Sequence, residues 1–145
     1  MVRIDETWQR IAAVLGEVSE ERHERCVEKL YQHLRASLQL PCEVTGIEDF
    51  EWEEIYVLGP GDPVEYQELR LTRPTYTDRF ELLEIEKEVD SEWMMFHHAD
   101  LGAHVRRKSD RKEFRLGLSE LKAVGKDSLN MRLLDDYSTW FCNSR

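Results

Sequence analysis

Gly46-Ile47-Glu48-Asp49-Phe50-Glu51-Trp52-Glu53-Glu54-Ile55-Tyr56-Val57-Leu58-Gly59 sets five carboxylates among aromatic and branched residues, then stops at Gly59-Pro60-Gly61. From Phe50 to Leu58 the even positions read Phe, Trp, Glu, Tyr, Leu and the odd ones Glu, Glu, Ile, Val. A strand sends successive side chains to opposite faces. The alternation therefore predicts a strand with Phe50, Trp52, Tyr56 and Leu58 toward a core and Glu51 and Glu53 toward water. Glu54 falls on the apolar side, where a lone carboxylate needs a partner, a hydrogen bond or a cation. Two readings follow: a solvated acidic strand with Glu54 at its edge, or a site for a hard cation.

The chain around this stretch has 145 residues, the size of one domain able to bury about two-thirds of its unfolded surface. No run of eighteen apolar residues offers a membrane span. The opening Met1-Val2-Arg3-Ile4-Asp5-Glu6 lacks the basic-then-apolar pattern of a signal peptide, so a cytoplasmic protein is expected. Cys26, Cys42 and Cys142 are odd in number and lack Cys-x-x-Cys spacing, which predicts free thiols and argues against a zinc cage. The net charge of −10 is unevenly spread: residues 43–92 hold sixteen acids and four bases, whereas residues 93–145 hold seven acids and ten bases. A concentrated negative field attracts cations and repels nucleic acid and anionic membranes.

Trp8, Ile11, Ala12 and Leu15 form one helical stripe ending at Gly16. Ser19 with Glu20 and Glu21 reads as the cap of a second helix, supported by a Glu21–Arg25 pair. That helix stripes Val27, Leu30, Tyr31, Leu34 and Leu38 and closes at Pro41. From Cys42 the period becomes two. Cys42–Thr45 and Phe80–Glu86 read as strands, Val64–Leu71 as a short helix with Tyr66 and Leu69 inward, and 73–78 as extended loop. Leu101, Ala103 and Val105 against Phe114, Leu116 and Leu118 predict a hairpin across the basic turn 106–113. Residues 119–124 read as one helical turn. Leu129, Met131 and Leu133 predict a last strand, followed by a C-terminal helix. The expected fold is α+β: N-terminal helices covering a small, strongly bent antiparallel sheet or barrel, with a C-terminal helix. A single domain spans 1–145, in which residues 1–40 are helical, 42–134 mainly β and 135–143 a helix.

Close-set acids on a strand and its flanking loops supply the oxygen ligands that calcium takes six to eight at a time. The chain has no Asp-x-Asp-x-Asp-Gly loop with a distal Glu, so the site is not an EF-hand. His97 and His98 point oppositely on a strand and make, with His104, a poor transition-metal site. No nucleophile motif, phosphate loop or glycine fingerprint appears, and a non-enzyme is expected. The basic turn Arg106-Arg107-Lys108 and Arg111-Lys112 is expected to pair with the molecule's own acidic face.

Leu40–Gly46, the Glu48-Asp49-Phe50-Glu51-Trp52-Glu53-Glu54 block with Tyr56–Gly59, and Tyr76-Thr77-Asp78 with Phe80 resemble the CcbP-type calcium-binding proteins known from filamentous cyanobacteria. The resemblance runs from about Tyr31 to the end of the chain. It implies a soluble, non-catalytic protein that sequesters Ca2+, compacts when loaded and helps set the free ion level. Chemistry and motif position nominate Asp49, Glu51, Glu53, Glu54, Asp78 and Asp100 as the metal ligands. The alternative is an acidic interaction module, without specific metal binding, whose strand edge and exposed Trp52 meet a basic protein partner. A metal-dependent hydrolase is the third reading.

Overall fold

Two amphipathic helices open the chain in the computed structural model, which describes residues 2–16, 24–96, 99–125 and 128–143. Helix α1 (Val2–Leu15) buries Ile11 and Leu15, and α2 (Glu24–Ser37) buries Cys26, Leu30, Tyr31 and Leu34. Both follow the three-to-four spacing of their apolar residues. The Ser19 cap, the Glu21–Arg25 pair and the His97-His98 dipeptide lie outside the described residues.

Five strands follow: β1 (Cys42–Gly46), β2 (Phe80–Glu86), β3 (Gly102–Arg107), β4 (Glu113–Gly117) and β5 (Leu121–Ala123). They form one antiparallel sheet in the order β4-β3-β2-β1-β5. The hairpin register pairs Ala103 with Leu116 and Val105 with Phe114, as the alternation required. In β2 the Leu82-Leu83 doublet would put the following glutamates on the wrong face. A bulge between Leu82 and Glu84 absorbs it, so Leu82 and Ile85 stay buried while Glu84 stands opposite His104 on the outer face.

The sheet is open. β4 and β5 are its two edges, so the barrel expected from the sequence is not formed. The apolar face is covered by helices instead: α5 (Ser128–Asn143) lies on β5, α1 on α5 and α2 on β2. Leu133, Leu134, Tyr137, Trp140 and Phe141 of α5 are buried in one core with Val44, Phe80, Val105 and Leu121. The outer face carries the ion pairs Arg106–Glu81, Arg115–Glu86 and Lys108–Glu43. The basic turn thus meets the chain's own acids, as expected.

Three local expectations are corrected. Residues 51–57 are not a strand but a 3-10 turn (Glu51–Glu53) running into α3 (Glu54–Val57). Residues 118–120 make a 3-10 turn, but 121–123 are β5, which pairs with β1 through Val44 and Ala123. Residues 129–133 belong to α5 rather than to a strand, leaving Leu129 and Met131 exposed. Asn130 ties that start to the chain just past α2: its side chain accepts from the Gln39 N–H and donates to the Gln39 carbonyl, both at 3.0 Å. Helix α4 (Pro63–Leu69) forms as read, capped by the Asp62 side chain on Val64 N–H, with Tyr66 and Leu69 half-buried.

Candidate metal site

The acidic stretch is held in place by one of its own carboxylates. Glu53 is fully buried; its Oε2 accepts from the backbone N–H of Phe50 and of Tyr76, each at 3.0 Å, and its Oε1 from the Tyr66 hydroxyl at 2.7 Å. Those donors converge only if the chain turns at 51–53, which is why the helical period overrides the alternating one. Burial pushes the Glu53 pKa up, and the three hydrogen bonds work against that rise. Glu54, expected on the apolar side, is exposed, and Trp52 is half-buried with its indole N–H on the Pro74 carbonyl at 2.7 Å.

Asp78 is placed by a buried cation. Arg107 reaches it at 2.9 Å and Asp110 at 2.8 Å, and also donates to the carbonyls of Arg70, Leu71 and Arg73. Burial disfavours the guanidinium charge, but Asp110 and Asp78 more than offset it and hold its pKa above the ordinary value. This clamp fixes the 70–78 loop against the β3–β4 turn.

Just past the C-terminal end of β1, acids gather with no ion pair among the described residues. Gly46 lies so close to Tyr76 that an added Cβ would stand 2.6 Å from the Tyr76 Cβ, so this crossing requires glycine. The β1–β5 pairing reaches Gly46–Leu121 and gains one further bond, Ile47 N–H to the Glu120 carbonyl at 2.9 Å. The loop then carries Glu48 and Asp49 over the 118–120 turn. Together with Glu120, Ser119, Met95 and Cys142 they line a cavity of about 160 Å3.

Asp100 stands behind that turn. It is buried, accepts from the Ser119 hydroxyl at 2.6 Å and the Tyr137 hydroxyl at 2.7 Å, and is pushed up to about pKa 6 by burial, against those bonds. A Cβ added at Gly117 would lie 2.5 Å from both Asp100 Oδ2 and Glu120 Oε2, so the two carboxylates converge on that glycine. Glu120 is pushed up to about pKa 7 by burial, with the charges of Asp100 and Glu51 adding to the rise and the backbone N–H groups of Met95 and Gly117 opposing it.

A second group lies on the outer face of the sheet. Among the described residues, Glu84, Glu86 and His104 are the one set of three acid, histidine or cysteine side chains whose donor atoms all fall within 4.8 Å of one another. His104 also meets Glu113 at 2.6 Å, and Glu86 meets Arg115 at 3.2 Å.

The six residues nominated from the sequence therefore lie in three places, with Glu54 apart from them. Asp100 converges with Glu120 at Gly117, Asp49 lines the same cavity as Glu120, and the exposed Glu51 acts on Glu120 by its charge; Glu53 lies inside the 50–76 hydrogen-bond knot; Asp78 is bound to Arg107. Glu54 is exposed on α3. Glu120 is not among the six. Its signal in the sequence is a single acid between Leu116-Gly117-Leu118 and Leu121-Lys122-Ala123, the same kind of break in an apolar pattern that marks Glu54.

The fold and this acid-lined cavity place the chain in a class: an α+β domain with helices on one face of an open five-stranded sheet. Two solved structures are similar to it in fold. The chain superposes on the crystal structure of Anabaena CcbP with a TM-score of 0.59 and 14% identity, covering 96% of this chain and 91% of that one. It superposes on a calcium-binding protein in its calcium-binding form with a TM-score of 0.54 and 15% identity, over 95% and 90% of the two chains. No protein-family model and no curated protein matches it by sequence. The fold resemblance read from the motifs is thus met by the three-dimensional comparison. No helix among the described residues is long and apolar enough to cross a membrane.

Proposed function

We propose that this protein is a non-catalytic calcium binder whose site is the cavity between the 47–51 loop and the 118–120 turn. Glu120 carries the reading. It is half-buried, its carboxylate converges with that of Asp100 at Gly117, and the charges of Asp100 and Glu51 both push its pKa up. A divalent cation at that point neutralises the repulsion. Asp100 and Glu120 converge at Gly117, and Glu48, Asp49 and Glu51 on the adjoining loop, which stand outside one ion's shell in the unloaded chain, would close in to bring further oxygens of the type calcium takes. Magnesium, which demands a tight octahedron and keeps its waters, fits a loop of this kind less well. A fold neighbour in a calcium-binding form supports the choice of ion. Glu53 and Asp78 hold the surrounding loops, and Glu54 adds to the field.

Buffering follows from the same electrostatics. Crowded acids oppose the compact state, and an ion that binds only the folded site favours it. Loading therefore compacts the molecule, and unloading relaxes it.

Titration calorimetry with calcium and magnesium tests this on the wild type, on Glu120→Gln, and on Glu84→Gln with Glu86→Gln. Saturable binding that prefers calcium, weakened at least about tenfold by Glu120→Gln and only slightly by the outer pair, is expected. Loss from the outer pair alone would move the site to the sheet face. Equal losses would leave only a diffuse acidic surface.

A further inference from the structure

Between Ile47 and Leu69 the chain carries eight carboxylates and no lysine, arginine or histidine. The same segment holds five of the nine large apolar side chains exposed among the described residues: Ile47, Ile55, Val57, Leu58 and Val64. Leu58 is 77% exposed, Val64 66% and Ile55 53%, and all three belong to the α3–α4 hairpin or the connection within it. This hairpin is not a loose loop. Its inner side is locked by Tyr56 stacked on Tyr66 with ring centres 5.1 Å apart, by Trp52 packed against both, and by the Gly61 N–H on the Ile55 carbonyl at 2.7 Å. A braced element that keeps aliphatic side chains in water, ringed by acids, is a surface built to be covered.

We propose that the outer side of the α3–α4 hairpin is a docking face for a basic amphipathic segment of another protein. The partner's apolar stripe would bury Ile55, Leu58 and Val64, while its lysines and arginines meet the exposed Glu54, Asp62 and Glu68. Charge decides between occupants. A second copy of this chain would bring two base-free acidic segments together, and an anionic membrane would be repelled by the same field. A basic partner alone satisfies both the apolar and the charged side of the face. The partner sits on the hairpin rather than on Trp52, whose ring is half-buried with the Arg73 guanidinium 5.2 Å above it. Docking does not depend on calcium.

The test uses the full chain in chelator at physiological salt, with two labelled 18-residue helical peptides of equal positive charge. One carries leucines at three-to-four spacing among lysines; the other has alanine at each leucine. Anisotropy is expected to show the leucine peptide binding at least about tenfold more tightly. Leu58→Ser with Val64→Ser should remove that advantage, whereas Leu129→Ser with Met131→Ser, an exposed apolar pair on α5, should not. Equal binding of the two peptides by the wild type would reduce the face to a diffuse charge effect and overturn the proposal, whatever the variants do. Undiminished binding by a folded Leu58/Val64 variant would do the same. Self-association of the free chain that this variant abolishes would assign the face to a second copy and equally overturn it.

Discussion

The carboxylates of Asp100 and Glu120 meet over the Cα of Gly117, each oxygen 2.5 Å from where a Cβ would stand. Glycine at 117 is what lets two acids from separate regions of the chain, one on the loop before β3 and one on the turn after β4, share a point beside the cavity. When both are charged, the two carboxylates repel each other. Its folded-state pKa values of about 6 for Asp100 and about 7 for Glu120 lie above the ordinary carboxylate range.

That shift has a definite sign. A carboxyl whose pKa is higher in the folded than in the unfolded chain binds its proton more tightly when folded, so its contribution to stability is present below the unfolded pKa and lost as pH rises through the folded one. Without calcium, the melting temperature should therefore fall between about pH 5 and pH 8. Glu28, Glu43, Asp110 and Glu113, whose pKa values are lowered by their ion pairs, act in the opposite direction but at more acidic pH. Glu120→Gln should flatten the slope, and saturating calcium should do so in the wild type. A melting temperature that rises over this interval in chelator would contradict the arrangement.

Glu53 and Glu54 are neighbours with opposite roles. Glu53→Ala leaves the Phe50 and Tyr76 amides and the Tyr66 hydroxyl without their acceptor inside the protein. A loss of about 2–4 kcal/mol is expected in urea unfolding. Glu54→Ala, at an exposed position, should change stability by less than about 0.5 kcal/mol. Similar effects from the two substitutions would mean that the 51–53 turn is not held as described.

The three cysteines form no disulfide and differ in access: Cys26 is buried, Cys42 half-buried and Cys142 exposed. A thiol reagent should label one cysteine quickly in the native protein and all three after denaturation without reduction. Because Cys142 lines the cavity with Asp49 and Glu120, calcium should slow the fast labelling step. An unchanged rate at saturating calcium would count against that location for the ion.

Much of the framework was legible from local pattern. The stripes of α1 and α2 and the β3–β4 hairpin each carry a regular apolar period that one arrangement satisfies, whereas β2 keeps its apolar face only through the bulge at Leu82–Glu84. The 50–58 stretch shows where such reading fails. Over nine residues its apolar and acidic positions fit a period of two, and only distant donors, the Tyr76 amide and the Tyr66 hydroxyl, made the helical turn at Glu53 the better solution. The Leu129-x-Met131-x-Leu133 alternation lost to the helical stripe of Leu133, Leu134, Tyr137, Trp140 and Phe141, which is buried in the core, with the Asn130–Gln39 contact at the start of the helix. By itself, the sequence determined the acidic charge, its concentration in 43–92, and the elements whose periodicity is long. Which carboxylates meet was decided by the tertiary structure alone. Asp78 was drawn to Arg107 and Glu53 into a knot of donors, while Glu120, single and inconspicuous in the chain, was brought beside Asp100. Charge and period are properties of neighbours along the chain, whereas the meeting of Asp100 and Glu120 is a distance in space, set by the Ser119 and Tyr137 hydrogen bonds to Asp100 and by the β1–β5 pairing that follows the 118–120 turn.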